Sequence, residues 1–410
     1  MSRRAVLWIA FAVVHLGVAW LGFLMPNEPM GDVYRVYDPW SLRALEGYGV
    51  VGITEPWVYP QLALIPMVVA QAFAWIAGYT IAWALVVIAA DAAAFAILVG
   101  RAQSTGRVTA AWFWLSYIAL LGPVGLYRLD GFTVPIAIVG CLWLIGRPWW
   151  ASTLLAVATW MKVWPAALLA AAVVAVRRRG ALLGGAVLVT AVTVGFVVLR
   201  GGAANVFGFI GDQTTRGLQV EAVISTPFLW GALLGWDGFW VFYDQDMLTF
   251  QVTGTNVDVF IAAMTPVLVI AMTALAALGA FAAWHGTRFV RLFPPLSLAL
   301  VLGFIVFNKV GSPQYLCWLV PSIVFGLVVE RHRWVAPASV ALLAAVLTQL
   351  VYPVLYNGIL YPSMLAIAVL TVRNLVLVAM LAWMVARLVA IVRHPAAVPL
   401  GAIQRQRLTV

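Results

Sequence analysis

The amino-acid sequence predicts an all-α polytopic membrane protein that forms a single integral membrane domain over residues 1–410. Hydrophobic residues make up 64% of the chain and charged residues 9%, whereas soluble proteins contain about 25% charged residues. The mean hydropathy of +1.02 also excludes a soluble globule. The apolar runs are separated by Gly, Pro and Arg without an alternating barrel pattern, so the spans are expected to be helices. We predict about 12 transmembrane helices with both termini inside.

The first span is predicted over residues 5–24, a stretch without formal charge that follows Arg3 and Arg4. About 20 residues, each rising about 1.5 Å, cross a hydrocarbon core of about 30 Å. Arginines that flank a span stay in the cytoplasm, so the chain beyond Leu24 emerges on the outer face. The stretch is too long for a signal peptide and no small-residue cleavage site follows it, so we interpret it as an anchor.

The first outer loop is predicted over residues 25–60, a polar stretch between two apolar runs. It is rich in Tyr and Trp and holds five of the fourteen acidic residues: Glu28, Asp32, Asp38, Glu46 and Glu55. Asp32 follows the first apolar run by about eight residues and therefore lies near the lipid boundary. A carboxylate held there can accept a proton, although a loop of this length can also be a solvated connector.

Residues 61–176 contain six apolar stretches where five crossings are required. The stretches are 61–76, 80–100, 109–126, 131–146, 150–161 and 164–176. If 61–100 makes one net crossing, Arg128, Asp130 and Lys162 lie outside. If the last two stretches instead form one broken helix, Arg128 turns cytoplasmic and Lys162 falls at the middle of the membrane. We favour the first arrangement because it avoids an isolated ammonium group in hydrocarbon.

The remaining apolar runs predict six further spans: 181–199, 259–283, 293–307, 313–329, 335–352 and 364–390. Arginines cluster between these runs, and the positive-inside bias places the clusters in the cytoplasm. The clusters are Arg177 to Arg179, Arg288 with Arg291, Arg331 with Arg333, and the C-terminal tail. The net charge of +10 therefore reflects membrane topology, and no nucleic-acid partner is predicted.

A second outer segment is predicted over residues 200–258. Its middle, residues 223–236, is apolar but too short to span, which predicts a re-entrant or interfacial helix. Its Trp and Phe residues either line a lipid or sugar path or form an aromatic belt at the headgroup level. Asp244 and Asp246 form a DxD pair, but one acidic pair in a loop is weak support for a metal, and we predict no metal site.

The chain contains two lysines, Lys162 and Lys309, and each interrupts an apolar run. In the favoured topology both share the outer face with Arg128, Asp130 and Asp32. Charges at such a depth pair with a counter-ion, snorkel, or line a polar cavity for an anionic ligand. The natural anion at a lipid boundary is a phosphate carried on a lipid, which Lys and Arg bind by charge-assisted hydrogen bonds. The same cations would stabilise the phosphate if it departs during a reaction.

Other chemistries have little support in the sequence. The four histidines lie in the first span or beside cytoplasmic arginines, which argues against a Ser-His-Asp or Cys-His arrangement on the outer face. The two cysteines lie in apolar runs and are interpreted as packing residues. No GxxxxGK(S/T) motif occurs, so nucleotide hydrolysis is not indicated.

Four short motifs resemble the multispanning GT-C glycosyltransferases, particularly the family 87 type that includes polyprenol-phosphate-mannose-dependent mannosyltransferases of actinobacterial envelopes. The motifs are GDVY at 31–34, WVYPQL at 57–62, WMKVWPAAL at 160–168 and NKVGSPQYLCWLVP at 308–321. The resemblance covers most of the chain. The sequence departs from it at Tyr315 to Cys317, where many relatives carry His, and at Tyr127 to Gly131, which replaces a Gln-containing motif.

The resemblance implies a GT-C-like membrane fold, a catalytic Asp in the first outer loop and an outward-facing site fed by a lipid-phosphate sugar. Asp32 matches the general base. The resemblance puts Lys309 and Lys162 near the donor phosphate, and we expect Arg128 there as well. The expected substrate-binding residues are Tyr34, Trp57, Tyr59, Asp130, Ser312 and Gln314.

The expected reaction transfers a sugar, with mannose as the first candidate, from polyprenyl-phosphate mannose to a lipid-linked glycan such as a phosphatidylinositol mannoside. Asp32 deprotonates an acceptor hydroxyl, which attacks the anomeric carbon opposite the departing phosphate and inverts it. The polyprenyl-phosphate sugar is a co-substrate, and no cofactor is expected. The site is expected on the extracytoplasmic side of the plasma membrane.

Two other classes of protein stay open at this stage. A transporter or flippase of an anionic lipid or solute would also need intramembrane cations and aromatic walls. Against it, the sequence shows no convincing internal repeat, and its acids concentrate in two outer loops. A structural membrane subunit would leave the buried lysines without a purpose.

Overall fold

The computed structural model describes residues 1–176, 179–214, 216–245, 247 and 249–393. Within these ranges, eight helices are long and apolar enough to cross a membrane, and four shorter apolar helices accompany them. This architecture confirms the predicted polytopic membrane protein built mainly from helices. Arg177, Arg178 and the C-terminal tail from residue 394, which the sequence assigns to the cytoplasm, lie outside the described ranges.

The first outer loop has a defined structure of its own. The preceding span, α1 (Arg3–Leu24), begins at Ser2, whose hydroxyl accepts a hydrogen bond from a backbone N–H in the first turn. The loop then forms a π-helical turn at Val33–Tyr37 and a helix, α2, at Asp38–Glu46. Gly47 ends α2 with a φ of +81°, a left-handed conformation that favours glycine. A loop built in this way holds its side chains in fixed positions.

Residues 61–100 form two short helices and one long helix. Three helices follow the first loop: α3 (Leu64–Gln71), α4 (Ala74–Ala77) and α5 (Tyr79–Val99). Gln71 donates a hydrogen bond to the Asp38 carboxylate at 2.7 Å, and the Tyr79 hydroxyl donates to the Met67 carbonyl at 3.0 Å. α3 therefore packs beside the first loop. Among the helices of residues 61–100, α5 is the one long and apolar enough to cross a membrane.

Three short helices occupy the middle of the bundle. The helices in this region are α6 (Thr105–Leu121), α7 (Asp130–Trp143), α8 (Pro148–Met161), α9 (Pro165–Ala175) and α10 (Arg179–Leu199). α7, α8 and α9 contain 14, 14 and 11 residues. At about 1.5 Å per residue they are roughly 16–21 Å long, which is less than a hydrocarbon core of about 30 Å. None of the three is therefore long enough for a full crossing by itself.

α8, α9 and α10 run in alternating directions. Trp149 lies against Gly184, and the Trp160 indole N–H donates to the Thr190 hydroxyl at 3.1 Å. α8 and α10 are therefore parallel, and α9 must return between them. The alternative in which α8 and α9 form one broken helix through the membrane is wrong, and Lys162 lies at the turn that joins the two helices.

The second outer segment contains an element that the all-α prediction omits. Its secondary structure comprises α11 (Gly208–Thr214), α12 (Thr226–Leu233), β1 (Trp240–Asp244) and β2 (Thr249–Thr253). The two strands form an antiparallel hairpin with Trp240 opposite Thr253. Hydrophobic periodicity alone is a weak signal for strands this short, because five residues carry few alternations. Asp246 of the DxD pair lies outside the described residues.

α12 is the short apolar helix that the sequence predicts within residues 223–236. The chain ends with α13 (Val257–Trp284), α14 (Phe289–Val306), α15 (Leu319–Gln349), α16 (Asn357–Leu360) and α17 (Met364–Arg393). The Trp230 indole donates to the Thr371 hydroxyl, and the Asn374 amide donates to the Thr226 hydroxyl. α12 therefore packs antiparallel along the last span, which matches the re-entrant form of the prediction.

α15 joins the two spans predicted at 313–329 and 335–352. It is interrupted at Glu330, where φ is −140° and ψ is 54°. α6 packs along α15, and a Cβ at Gly106 would lie 2.8 Å from the Val328 carbonyl oxygen. Only glycine allows this close approach of two helix backbones. The main cluster of buried hydrophobic residues includes side chains of both helices.

We predict that single cysteines replacing Tyr48 and Tyr361 react with an impermeant maleimide from the same side of the membrane. A cysteine replacing Trp284 should react only from the other side. These three positions are 76%, 82% and 86% exposed. The unmodified chain is the control, because Cys141 and Cys317 are buried. Labelling of all three positions from one side would contradict the helix order.

Candidate functional site

Asp32 lies at the beginning of the π-helical turn in the first outer loop. Its Oδ1 atom is 2.8 Å from Nη1 of Arg128, which precedes α7. The Arg128 side chain is 9% exposed and the Asp32 side chain is 36% exposed. A buried guanidinium therefore holds a carboxylate that a ligand can reach. The contact also confirms that Arg128 shares a membrane face with Asp32.

Arg128 keeps unused donors. Its Nε and Nη1 atoms are buried and make no aligned hydrogen bond with any described residue, so the contact with Asp32 is an ion pair of imperfect angle. Burial is the largest single effect and lowers the pKa of Arg128, but Asp32 together with Tyr352, Tyr37 and Tyr59 raises that pKa overall. The Tyr37 hydroxyl accepts a hydrogen bond from the Leu129 backbone N–H at 3.3 Å and fixes this turn. Free guanidinium donors beside a carboxylate suit an anionic ligand.

A second ion pair lies at the start of α7. Asp130 is fully buried at the first turn of α7, and its Oδ2 atom accepts from Lys162 Nζ at 2.6 Å. Its Oδ1 atom accepts from the Trp318 indole N–H, also at 2.6 Å. Trp318 stacks on Trp164 with the rings 8° from parallel. Both carboxylate oxygens of Asp130 are thus occupied, which indicates a positioning residue rather than a free base.

Aromatic rings surround the ammonium group of Lys162. The rings of Tyr59, Tyr315 and Trp318 have their centroids 5.9, 5.7 and 5.8 Å from Nζ. Such distances allow cation–π attraction. Burial, followed by the charges of Asp32 and Asp130, raises the pKa of Tyr59, so this phenol stays protonated as a hydrogen-bond donor.

Trp57 extends the aromatic wall. Its ring lies edge to face with Tyr59 at a centroid distance of 5.6 Å. Its buried indole N–H finds no acceptor among the described residues. The sequence motif at 57–62 thus places two of the predicted substrate-binding residues beside Lys162.

A third carboxylate, Glu221, was missed by the sequence reasoning. It is buried in the second outer segment, with Oε2 3.7 Å from Nη2 of Arg373, and its backbone carbonyl accepts from the same nitrogen at 2.9 Å. Burial raises the pKa of Glu221 to about 7, against the opposing charges of Arg373 and Arg128. Arg373 lies inside the last apolar run, apart from Arg387 near the end of that run. The argument that singled out the lysines would have found it too.

The backbone around Lys309 packs against the segment that carries Glu221. Its backbone carbonyl accepts a hydrogen bond from the Gln219 N–H at 3.1 Å. A Cβ on Gly311 would collide with the backbone of Glu221 and Ala222, so only glycine lets the two segments meet. Lys309 is buried, and burial lowers its pKa. The predicted phosphate-binding lysine therefore lies against residues that the sequence did not connect with it.

Three further residues that the sequence predicts to bind substrate lie outside the ion pairs. Tyr34 is exposed, and its neighbours are Glu28 and Arg35, so the structure does not bring it to the ion pairs. It precedes Arg35 on the outer side of the π-helical turn, whereas Val33 and Tyr37 face inward. Ser312 and Gln314 are half-buried, at and just after the start of the turn at Pro313–Trp318 that carries Tyr315.

Asp244, the described member of the DxD pair, has a different environment from the ion pairs. The Oδ2 atom of Asp244 accepts a hydrogen bond from the Gln251 side chain at 2.6 Å across the β hairpin. Within the part of the chain that the structure describes, no group of three His, Cys, Asp or Glu side chains could hold a metal ion.

The assembled site has three carboxylates, and each lies beside a cation: Arg128, Lys162 or Arg373. The charge of Arg216 acts on Tyr315. The site can therefore hold an anion next to a reachable carboxylate, with aromatic faces at its side. No family model, curated protein or solved structure matches the chain.

We predict that Asp130→Leu destabilises the protein by about 3–5 kcal/mol, because it leaves the Lys162 ammonium group buried without its partner. The double variant with Lys162→Met should recover most of that loss. Thermal unfolding of the purified protein measures both effects. Glu55→Gln, which breaks the exposed pair with Arg43, is the control and should cost about 0–1 kcal/mol. Additive losses in the double variant would show that the pair is not coupled.

Proposed function

We propose that the protein is a membrane glycosyltransferase that uses a polyprenyl-phosphate sugar as its donor. The observation that carries the proposal is the reachable carboxylate of Asp32 held by buried Arg128, beside the aromatic surroundings of Lys162. Together these groups supply a base, cations for a phosphate and flat apolar faces for a sugar ring. The proposal includes about 12 spans in a GT-C-like arrangement, with the kink at Glu330 dividing α15 into two of them.

The proposed reaction is a single displacement. The Asp32 carboxylate takes the proton of an acceptor hydroxyl while the hydroxyl oxygen forms a bond to the anomeric carbon. The bond between that carbon and the phosphate oxygen breaks on the opposite face, so the anomeric configuration inverts. A positioned base contributes about 10²–10⁴-fold to such a step. Arg128 orients the carboxylate through the contact at 2.8 Å.

The leaving group is a polyprenyl phosphate, whose growing negative charge the cations stabilise. Arg128 and Lys162 each face a carboxylate, so their charges are partly balanced. Lys309 is a buried ammonium group in the segment that precedes the turn at Pro313–Trp318. In this proposal Lys309, Lys162 and Arg128 are the phosphate ligands.

The aromatic residues around Lys162 also support a sugar as part of the substrate. Trp57, Tyr59 and Tyr315 provide aromatic faces and hydroxyl groups, a combination that suits a sugar ring. We propose mannose as the transferred sugar and a lipid-linked glycan, such as a phosphatidylinositol mannoside, as the acceptor. The site then faces the extracytoplasmic side of the plasma membrane, consistent with the arginines that precede α1.

A second candidate function is a transporter or flippase of an anionic lipid or solute. A buried pair within the spans favours it: His15 of α1 and Asp91 of α5 lie 3.1 Å apart. Ionisable pairs inside spans often mark ion or substrate pathways. This pair lies away from Asp32, so loss of Asp32 should leave transport intact. The first variant below separates the two functions.

We predict that Asp32→Asn lowers sugar transfer from polyprenyl-phosphate mannose by at least about 10²-fold, because the amide cannot accept the acceptor proton. The assay is transfer of labelled sugar by the purified protein in lipid nanodiscs. Glu46→Gln, which changes an exposed acid of the same loop, should keep wild-type activity. Full activity of Asp32→Asn would remove the general-base assignment.

We predict that Lys309→Met raises the KM for the donor by about tenfold and leaves the KM for the acceptor unchanged, because it removes one charge-assisted hydrogen bond to the phosphate. Steady-state kinetics with varied donor and fixed acceptor measure the effect. Lys309→Arg keeps the charge and is the matched control. An unchanged donor KM in Lys309→Met would place the phosphate elsewhere.

A further inference from the structure

A group of basic side chains lies where α15 turns back on itself. The helix is interrupted at Glu330, and the ring of Trp334 packs directly on Gly326. Eight residues of an unbroken helix would place the last two residues about 12 Å apart along the axis. α15 is therefore a helical hairpin whose turn is at Glu330.

The hairpin turn lies on the opposite side of the membrane domain from Asp32. The first half of α15 follows Trp318, which donates to Asp130 of the candidate site. The second half leads to Tyr352, whose hydroxyl donates to the carbonyl of Asn27 in the first outer loop. Both ends of the hairpin are thus on the side of the candidate site, and its turn is at the other face.

Arg387 of α17 is held in a fixed position beside this turn. Its guanidinium group lies over the rings of Trp334 and Trp383, whose centroids are 5.4 and 5.1 Å away. Its Nη2 atom donates to the backbone carbonyl of Arg333 at 2.6 Å. It forms no ion pair with a carboxylate of the described residues. Stacking and one hydrogen bond therefore orient a planar cation whose remaining donors suit an anion.

Arg333 brings a second positive charge to the same place. Its side chain is 60% exposed, and it is close enough to Arg387 for the two charges to repel each other. Glu330, whose carboxylate acts on both arginines, is 3.9 Å from Arg333 Nη1, whereas a closed ion pair measures about 2.7–2.9 Å. Two like charges side by side are unfavourable unless an anion lies between them.

The sequence supplies no other acidic side chain for this face. Of the fourteen acidic residues, five lie in the first outer loop and six in the second outer segment, which leaves three. Asp130 belongs to the candidate site, and Asp91 is bonded to His15 inside the bundle. Glu330 is the third, and the tail beyond Arg393 contains no Asp or Glu. The anion that completes the arginine pair must therefore come from outside the chain.

We infer that Arg333 and Arg387 bind the phosphate of an anionic membrane lipid. Basic sites between transmembrane helices bind such head groups, and a guanidinium fork matches phosphate oxygens. An exposed apolar stripe of Ala386, Ala382 and Val378 leads along α17 away from Arg387 toward the middle of the span. The acyl chains lie along this stripe, so the occupant is a lipid rather than a free anion.

The site is tested by lipid binding to the purified full chain, measured by native mass spectrometry. The wild type should bind phosphatidylglycerol more tightly than the zwitterionic phosphatidylcholine. Arg387→Gln and Arg333→Gln should each weaken phosphatidylglycerol binding by about fivefold or more and leave phosphatidylcholine binding unchanged. Arg4→Gln removes the same charge from an exposed position at the start of α1 and should stay within about twofold of the wild type.

The guanidinium geometry and the source of the phosphate are tested in the same assay. Arg387→Lys keeps the charge but loses the planar fork and the ring stacking, so its affinity should lie between those of the wild type and Arg387→Gln. Glycerol phosphate at the concentration of the lipid should not displace phosphatidylglycerol, because it lacks the acyl chains.

Three results would overturn the inference. These are the absence of a preference for the anionic lipid in the wild type, an equal loss in Arg4→Gln and Arg387→Gln, and displacement of the lipid by glycerol phosphate. If Arg387→Gln does not fold, Arg333→Gln at its exposed position decides the outcome. The assay uses no sugar donor, so its result is independent of the proposed function.

Discussion

The buried ion pair of Asp130 with Lys162 is the constraint on which the centre of the structure depends. Asp130 has no exposed surface, so its charge is tolerable only with both oxygens bonded. Lys162 from the turn between α8 and α9 and Trp318 before α15 supply those bonds. The pair thus holds the start of α7, the end of α8 and the start of α15 at one level.

The same rule governs the other charges of the site. Asp32 with Arg128 and Glu221 with Arg373 repeat the pairing of a carboxylate with a buried cation. The pairs differ in how exposed the carboxylate is and in how many of its oxygens are bonded. Asp130 is fully satisfied and positions its neighbours, Asp32 is partly exposed and can meet a substrate, and Glu221 retains an unused oxygen. Burial and pairing therefore divide three chemically similar acids into three roles.

The second outer segment connects separate parts of the helix bundle. The Gln219 N–H donates to the Lys309 carbonyl, and the Glu221 carbonyl accepts from Arg373. α12 then packs antiparallel along α17. Val223, just before α12, lines an apolar groove that also involves α13, α14 and α17.

The sequence by itself predicted the long apolar helices and singled out Asp32, Lys162 and Lys309 as candidate site residues, because hydropathy and isolated charges are local signals. It missed the β hairpin, Glu221 and Arg373, and it assigned Tyr34 to a site from which the structure places it apart. Only the tertiary structure decided which charge pairs with which. The partners of the ion pairs come from different helices, as with Glu221 and Arg373, and no local pattern records a contact between segments so far apart in the chain.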